Sequence, residues 1–226
     1  MPECVVHARP PAPDRATIQT LRAFPTAAIS DGLGRIGGAP GLRPFTKAVE
    51  IAGPAFTVHT RPGDNLAVHQ ALDLIEPGEI LVVAGGGDRT RALIGGLACH
   101  YAERRGVAGI IVDGAVRDLT ELGEMSMPIF ALDFSHQGPY KEGPGELGGP
   151  VAIRGTSVDT GDVVVTDEDG VAFVPRARIA EAAQGAQAIA ENEERSMAAI
   201  ARDSWERSFL AEVTLRHIDR APTESS

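Results

Sequence analysis

Residues 105–121, Arg-Gly-Val-Ala-Gly-Ile-Ile-Val-Asp-Gly-Ala-Val-Arg-Asp-Leu-Thr-Glu, contain the pattern that decides the fold. The run at 107–112 is short, apolar and rich in β-branched residues, which predicts a fully buried strand. Asp113-Gly114 is a turn dipeptide, so the strand is expected to end there and a helix to begin soon afterwards. The charged residues that follow are Arg117, Asp118 and Glu121. Ligands bind at the carboxyl ends of strands in open α/β sheets, so these side chains mark a candidate site.

The segments on either side alternate between strand and helix patterns. Strands are predicted at residues 79–84 and 128–132, and a helix is predicted at residues 95–104 with Gly106 as its stop. This alternation is typical of βαβ units in a parallel or mixed sheet.

The C-terminal part has a different pattern. Two β-rich runs, at 163–166 and 171–174, flank Asp-Glu-Asp-Gly, which predicts a hairpin. Pro175 then begins a long helix that is expected to reach about Phe209. We therefore predict an α/β fold with a βαβ-containing central sheet, a C-terminal β-hairpin and a long C-terminal helix. The expected parts are a single domain (1–226), a loose N-terminal arm within it (1–14) and a C-terminal helical region (175–210).

The remaining segments give weaker signals. The predictions are helices at 15–21, 26–34 and 64–75, a strand at 47–60 broken near Gly53-Pro54, a flexible glycine-rich loop at 85–91 and an ordered loop at 134–150.

Composition excludes several classes of function. The net charge of -10, without any cluster of lysine or arginine, argues against nucleic acid and against an acidic membrane as partners. A small anionic substrate remains compatible, because a pocket needs only one or two local cations. Cys4 and Cys99 form no metal-type pair and are expected to be free thiols. No signal peptide or membrane span is recognisable, which predicts a cytoplasmic location.

The charged triplet suggests metal chemistry. Asp118 and Glu121 lie three positions apart on the predicted helix and share a face. Two hard oxygen donors suit a magnesium-type ion, which keeps several waters and needs only one or two carboxylates. Arg117 offers a planar fork that can hold a carboxylate through two hydrogen bonds. Together these residues fit a site for a small keto acid; the alternative is a solvated helix start whose acids are favoured by the helix dipole.

The second informative segment is Gly95-Gly96-Leu97-Ala98. Glycines at a helix start leave backbone N–H groups open to an anion, at the positive end of the helix dipole. Packing or a turn is the alternative explanation for such a pair. This segment and Arg117 follow consecutive strands, so we expect them at the same edge of the sheet.

Other familiar sites are absent from the sequence. No P-loop, Gly-x-Gly-x-x-Gly fingerprint or nucleophile elbow is present. The six histidines show no metal-type pairing. His69 follows the Gly63-Asp-Asn turn and could face the site, but a packed or exposed histidine is the preferred interpretation. A Schiff-base mechanism needs a desolvated lysine, and neither Lys47 nor Lys141 follows a strand.

These segments resemble a known family. The resemblance rests on Gly95-Gly-Leu-Ala, on the Arg-Gly-Val-Ala-Gly-Ile-Ile-Val-Asp-Gly-Ala-Val-Arg-Asp run from residue 105, and on Gly161-Asp-Val-Val-Val-Thr-Asp-Glu-Asp-Gly-Val. The resemblance covers roughly residues 25–200. The family that these segments resemble contains both the 4-hydroxy-4-methyl-2-oxoglutarate aldolases and the regulator of ribonuclease E activity A (RraA). Its most specific pattern is a glycine, twenty residues, then Arg-Asp-x-x-acid. Here that pattern is Gly96, Arg117, Asp118 and Glu121.

The resemblance implies a class II pyruvate aldolase that uses Mg²⁺ or Mn²⁺ and also decarboxylates oxaloacetate. Asp118 would bind the metal, Glu121 would hold some of its waters, and Arg117 would contact the pyruvyl group. The segment from Gly95 to Ala98 would bind the substrate, with the N–H groups of Gly96, Leu97 and Ala98 holding its carboxylate. The substrate would be a 4-hydroxy-2-oxo diacid of the 4-hydroxy-4-methyl-2-oxoglutarate or 4-carboxy-4-hydroxy-2-oxoadipate type.

The resemblance also implies a homotrimer or hexamer with active sites between subunits. An acid from a neighbour's C-terminal helix would assist, and the candidates are Glu191, Glu193 and Glu194, of which Glu193 is favoured. A solvated helical face is the alternative for these glutamates. The family commonly closes with a glycine-containing segment, whereas this chain continues Ala201-Arg-Asp-Ser-Trp-Glu-Arg-Ser-Phe-Leu.

Two other functions stay open at the level of sequence. One is a non-catalytic protein of the same fold that binds and inhibits an RNA-processing enzyme through its acidic surface. The other is a related lyase or decarboxylase that serves a different pathway.

Overall fold

A computed structural model of the chain describes residues 3–217. In this range, the strands form a nine-stranded sheet and a separate two-stranded sheet. The strands are β1 (Cys4–Val6), β2 (Arg43–Pro44), β3 (Ile51–Thr60), β4 (Ile80–Ile94), β5 (Gly109–Val116), β6 (Ile129–Phe134), β7 (Gly145–Leu147), β8 (Val151–Ile153), β9 (Thr156–Val158), β10 (Val163–Asp167) and β11 (Gly170–Val174). The helices are α1 (Arg15–Arg22), α2 (Thr26–Gly32), α3 (Leu66–Leu74), α4 (Gly96–Arg104), α5 (Leu119–Leu122) and α6 (Ile179–Ile200).

The predicted βαβ units form the centre of the sheet. Strands β3, β4, β5 and β6 lie side by side and are parallel, and α3, α4 and α5 connect them in turn. Every residue of β5 is buried. Side chains on its two faces join different hydrophobic clusters, as shown by Val112 on one side and Ile111 on the other. A parallel strand covered on both faces is expected to be apolar throughout, which is the pattern that identified it.

The prediction that β5 ends at Asp113-Gly114 is wrong. The strand continues to Val116, because Gly114 pairs with Asp88 of β4 and the next residue pairs with Ala92. Asp113 is therefore buried within the sheet, and burial raises the pKa of its carboxyl although Arg154 lies 3.8 Å away. Sheet pairing overrides the turn preference of this dipeptide.

The segment at 85–91 is not the flexible loop that its glycines predicted. It belongs to β4, which spans fifteen residues and follows β5 through three register shifts. Bulges of this kind insert extra residues into a strand without ending its pairing. Glycine suits the insertion because Gly86 and Gly87 both have positive φ.

The predicted break in β3 is also absent. The strand is continuous across Gly53-Pro54 and pairs there with β10. Pairing with β4 begins only at Ala55, so the N–H that Pro54 lacks lies outside that ladder.

The N-terminal arm is not loose along its whole length. Residues Cys4–Val6 form β1. This strand pairs with β7, which lies within the segment at 134–150 that was predicted to be a loop. Arg9 then donates a hydrogen bond to Glu79 at 2.6 Å, and its guanidinium lies 4.1 Å from the centre of the Phe56 ring. A strand pair and an ion pair thus hold this part of the arm.

The C-terminal prediction is confirmed for the hairpin and corrected for the helix. Strands β10 and β11 form the expected antiparallel pair. A short 3₁₀ turn at Arg176–Arg178 leads into α6, which ends at Ile200 and not near Phe209. Asp203 has a positive φ of 53° just after this end, a conformation that commonly stops a helix.

The chain divides into two compact units, and the single-domain prediction stays a prediction. The first unit runs to Ala190 and contains every strand named above. The second begins at Glu191 and contains the last turns of α6 and a 3₁₀ turn at Ser208–Leu210. Several of its large apolar side chains are exposed, among them Trp205 and Phe209.

Candidate active site

The candidate site lies where β4 and β5 end. These neighbouring parallel strands deliver Gly95 and Arg117 to the same edge of the sheet, as the sequence predicted. The N–H of Arg117 donates to the carbonyl of Ile94 at 3.1 Å, which ties the two strand ends together. Helix α4 starts at Gly96, so its open N–H groups face the same edge.

Asp118 has an unusual backbone conformation that points to a constraint. Its φ of 64° and ψ of 45° are left-handed, a region that is uncommon for residues other than glycine and that aspartate adopts more readily than most. One carboxylate oxygen, Oδ2, accepts the N–H of Gly96 at 2.9 Å and lies 3.6 Å from Nε of Arg117. The carboxylate is thus placed at the positive end of α4. Asp118 precedes the helix, so the prediction that it shares a helical face with Glu121 is wrong.

Gly95 and Gly96 are glycines because the acidic and basic side chains occupy the space beside them. A Cβ atom on Gly96 would lie 1.9 Å from Oε2 of Glu121. A Cβ atom on Gly95 would lie 2.6 Å from Oδ2 of Asp118 and 2.8 Å from Cγ of Arg117. Contacts this short require the neighbouring side chains to move: the carboxylate of Glu121 would have to turn away from a Cβ at Gly96, and Arg117 and Asp118 would have to shift for a Cβ at Gly95. The glycine follows β4 and the Arg-Asp-x-x-Glu residues follow β5. The spacing of this pattern therefore reflects direct contact between the segments that follow these two strands.

The sequence did not identify His100 as part of this cluster. Its Nε2 lies 2.9 Å from Oε1 of Glu121, and both side chains are about half exposed. His100 follows Gly96 by four positions on α4, which places the two residues on one face of the helix. That spacing was the available signal, and it is too common to have singled out this histidine.

A cavity of about 260 Å³ adjoins Arg117 and Asp118. It is also lined by Asn65, His69 and Lys141. Nζ of Lys141 donates to Oδ1 of Asn65 at 3.2 Å, and the amide of Asn65 donates to the carbonyl of Leu93 at 3.0 Å. The sequence showed only that Lys141 does not directly follow a strand, and the structure places it in this cavity all the same. The long loop that follows β6 carries it there, and no local pattern predicts such a path.

His69 lies half-buried in the same cavity. Burial and the charge of Lys141 lower the pKa of its imidazole, and Asp73 opposes this shift. A lowered pKa favours the neutral ring at pH 7. The cavity thus offers two fixed cations, Arg117 and Lys141, beside an uncharged imidazole.

A larger cavity of about 610 Å³ lies between residues 11–20 and the start of α6. Its lining is mostly alanine, proline and threonine, with Asp14 and Arg176 as its charged members. It contains none of the residues gathered at the strand ends, so the smaller cavity is the better candidate for chemistry.

The donor atoms at the site fit a hard divalent cation. Asp118 is 44% exposed, and Gly96 occupies only one of its two carboxylate oxygens. Within residues 3–217, no group of three or more histidine, cysteine, aspartate or glutamate side chains is arranged to hold a metal. A site with one carboxylate ligand and several waters suits Mg²⁺ or Mn²⁺ and would not suit zinc.

The acids proposed to assist from a neighbouring subunit lie in the second compact unit. Glu193 is exposed on α6, as are Glu191 and Glu194. Their exposure is compatible with either interpretation of these residues, a solvated face or a contact with another subunit.

Solved structures share the fold. A Streptomyces coelicolor protein, RraAS2, described as an unusual member of the RNase ES inhibitor RraA protein family, superimposes with a TM-score of 0.75 and 27% identity. The match covers 83% of this chain and 98% of that protein. The RNA-processing inhibitor RraA from Thermus thermophilis matches with a TM-score of 0.62 and 33% identity, over 66% of this chain and 92% of the other.

The sequence comparisons define the family. The model of the RraA-like family, Aldolase/RraA, matches residues 26–173. A relative from Halalkalibacterium halodurans is 34% identical over 184 residues, which are 80% of this chain and 88% of the relative. That relative carries the name "Putative 4-hydroxy-4-methyl-2-oxoglutarate aldolase". The chain belongs to the Aldolase/RraA family. Across the described part of the chain, none of the helices combines the length and apolar content needed to cross a membrane.

Proposed function

We propose that this protein is a divalent-metal-dependent lyase that cleaves a 4-hydroxy-2-oxo diacid to pyruvate and a second keto acid, and that it also decarboxylates oxaloacetate. The observation that carries the proposal is the left-handed Asp118, whose carboxylate rests on the N–H of Gly96 beside Arg117. A carboxylate held at a helix start beside an arginine can bind a metal ion next to a site for an anion. The aldolase name of the Halalkalibacterium halodurans relative supports the same class of reaction.

The pyruvyl end of the substrate would bind at the start of α4. Gly96 donates its N–H to Asp118, which leaves the N–H groups of Leu97 and Ala98 in the same first turn for the substrate carboxylate. The guanidinium of Arg117 would contact the 2-oxo oxygen. A Mg²⁺ or Mn²⁺ ion held by Asp118 would supply additional positive charge for the same oxygen.

The second carboxylate of the diacid would lie nearer Lys141. This ammonium group lines the cavity and donates a hydrogen bond to Asn65 at 3.2 Å. Two cations in the lining, Arg117 and Lys141, match a substrate with two carboxylates.

The proposed reaction breaks the bond between C3 and C4. A base takes the proton of the C4 hydroxyl, the C4 carbonyl forms, and the bonding electrons pass to the pyruvyl part as an enolate. Arg117 stabilises the developing charge on the enolate oxygen, and such stabilisation is worth most in the transition state. Glu121, fixed by His100, would orient water beside Asp118. Protonation of C3 then gives pyruvate; loss of carbon dioxide from oxaloacetate leaves the same enolate.

The base would come from another copy of the chain. We propose a homotrimer or hexamer in which Glu193 of a neighbouring subunit assists proton removal, directly or through water. The open rim of the site supports this assembly, because the side chain of Leu97 is 87% exposed beside the cavity.

The test measures pyruvate release from 4-hydroxy-4-methyl-2-oxoglutarate and from oxaloacetate, with and without Mg²⁺. We expect metal-dependent turnover by the native chain, and a fall in kcat of at least roughly a hundredfold for Asp118→Asn and Arg117→Lys, because each removes stabilisation of developing charge. Asp133→Asn is the matched control, since this carboxylate pairs with arginines away from the cavity.

Two results would contradict the proposal. One is a correctly folded native chain without turnover above the rate with metal alone. The other is full activity of Asp118→Asn. Either would favour a binding role such as the RNA-processing inhibition named for the Thermus thermophilis relative.

A further inference from the structure

Residues 135–143 form a segment, here called the strap, that closes over the cavity after β6. Three residues of the bulged strand β4 fasten it, and the first is Thr90, whose carbonyl accepts the hydroxyl of Ser135 at 2.7 Å. The N–H of Ala92 donates to the carbonyl of Gln137 at 2.9 Å. The side chain of Arg91 donates from Nη1 to the carbonyl of Gly138 at 2.7 Å and from Nη2 to the hydroxyl of Tyr140 at 3.0 Å.

The strap is in close contact with Arg117. A Cβ atom added to Gly138 would lie 3.1 Å from Nη1 of Arg117, which is tighter than ordinary packing allows. The absence of a side chain at Gly138 therefore leaves room for the guanidinium beside the strap. Any shift of the Gly138 backbone changes the space in which the Arg117 fork can lie.

The far end of the strap is held by independent bonds. Tyr140 donates its N–H to the carbonyl of Gly63 at 2.8 Å and accepts the N–H of Asn65 at 3.0 Å. At the near end, Thr90 and Ala92 hold Ser135 and Gln137, and Arg91 holds the carbonyl of Gly138 itself.

The guanidinium of Arg91 is chemically suited to hold the strap in one position. It donates to two points of the strap at once and also lies 4.2 Å from the centre of the Tyr140 ring. A planar fork fixes both partners in one geometry, whereas the ammonium group of a lysine would not. The described lining of the cavity does not include Arg91, so it has no direct access to a bound substrate.

We infer that Arg91 is a positioning residue for the reaction: through the carbonyl of Gly138 it sets the place of the Arg117 guanidinium against the substrate. The inference rests on the proposed function, in which Arg117 stabilises the enolate. A displacement of about 1 Å at a charge-stabilising group costs a large factor in rate.

The kinetic test is a double-mutant cycle on the full-length protein with oxaloacetate and Mg²⁺. Arg91→Ala is expected to lower kcat roughly tenfold or more, with a smaller change in KM, because a misplaced fork is felt mainly in the transition state. In an Arg117→Lys background, the same substitution should change kcat by less than about threefold, since no fork remains to be placed. Arg91→Lys should behave like Arg91→Ala, because it keeps the charge and loses the geometry.

The matched control is Arg89→Ala. Arg89 lies two residues away in the same bulge and is exposed, and its ion pair is with Asp133. We expect native kcat for this variant. Deuterium uptake at the amides of residues 136–138 should rise in Arg91→Ala and stay native in Arg89→Ala, which reports the loosened strap without any substrate.

Three results would overturn the inference. Native kcat for both Arg91 variants would show that Arg117 does not depend on Arg91. An equal loss in the native and Arg117→Lys backgrounds would show that Arg91 acts independently of Arg117. Native deuterium uptake in Arg91→Ala would show that the strap is held without this side chain. Failure of the proposed function is distinguishable, because the native chain itself would then lack turnover.

Discussion

At the scale of single residues, the site depends on Gly96 having no side chain. The carboxylate of Glu121 occupies the space that a side chain at Gly96 would take, and the N–H of Gly96 donates to the carboxylate of Asp118. One glycine therefore accommodates two acids that follow β5. The sequence pattern predicted this gathering correctly, since Gly96, Arg117, Asp118 and Glu121 do come together. It did not predict that Asp118 uses the N–H of Gly96, because that hydrogen bond depends on a left-handed backbone that no local pattern indicates.

Gly96→Ala tests the contact directly. The new methyl group would overlap the carboxylate of Glu121, so that side chain must leave its place beside His100. We expect a loss of at least roughly tenfold in kcat, since small misplacements within a site have large effects on rate. The measurement is metal-dependent pyruvate release together with thermal unfolding.

The control for that variant is Gly38→Ala, because no atom lies within 4 Å of a Cβ at Gly38. It should retain native kcat. If Gly96→Ala were as active as Gly38→Ala, Glu121 would have no role at its observed position.

At the scale of secondary-structure elements, whether a segment is a strand or a helix was easier to predict than where that element ends. The apolar runs that begin β4 and β5 are recognisable, but both strands extend through glycine-rich and Asp-Gly segments that resemble turns. Both strands continue because they pair with each other through three register shifts. The sequence of one strand alone does not show this pairing. The same limit applies to the strap, whose path brings Lys141 into the cavity through contacts distant in sequence.

Asp64 joins two of these elements and gives a pH-dependent prediction. Its buried carboxylate accepts the N–H of Leu66 at the start of α3 and the N–H groups of Glu142 and Gly143 in the strap. Burial alone would raise the pKa of Asp64, but these hydrogen bonds and Arg61 lower it below its ordinary value. Its contribution to stability is therefore complete above the unfolded pKa, near 3.9, and is lost as the pH falls through the folded pKa.

We expect Asp64→Asn to lower the free energy of unfolding at pH 7 by about 1–3 kcal/mol, because at least one buried donor loses its acceptor. The difference from the native chain should shrink as the pH falls below about 4, because the unfolded carboxyl is protonated there and the native carboxyl only at the lower, folded pKa. Urea unfolding at a series of pH values measures this, with the exposed Asp31→Asn as control. A difference that does not change with pH would show that the charge of Asp64 contributes nothing.

At the scale of the whole molecule, the alternation of strands and helices was enough to predict the α/β class, and the motif spacing was enough to predict the family. The family match over residues 26–173 and the superposition on RraA structures confirm both predictions. The sequence could not show how the strap closes over the strand ends, because that depends on the assembled sheet. The reaction, the metal and the assembly of subunits stay proposals, and each depends on whether this site stabilises an enolate.

Exchange of the pyruvate methyl protons with solvent tests that claim most directly, because it needs no assumption about the physiological aldol substrate. Pyruvate is incubated with the native protein and Mg²⁺ in deuterium oxide, and loss of the methyl proton signal is followed by NMR. A site that stabilises the enolate must catalyse this exchange in both directions. We expect exchange that depends on the metal and falls to the background rate in Arg117→Lys. Exchange no faster than with Mg²⁺ alone, by a correctly folded native protein, would contradict the account.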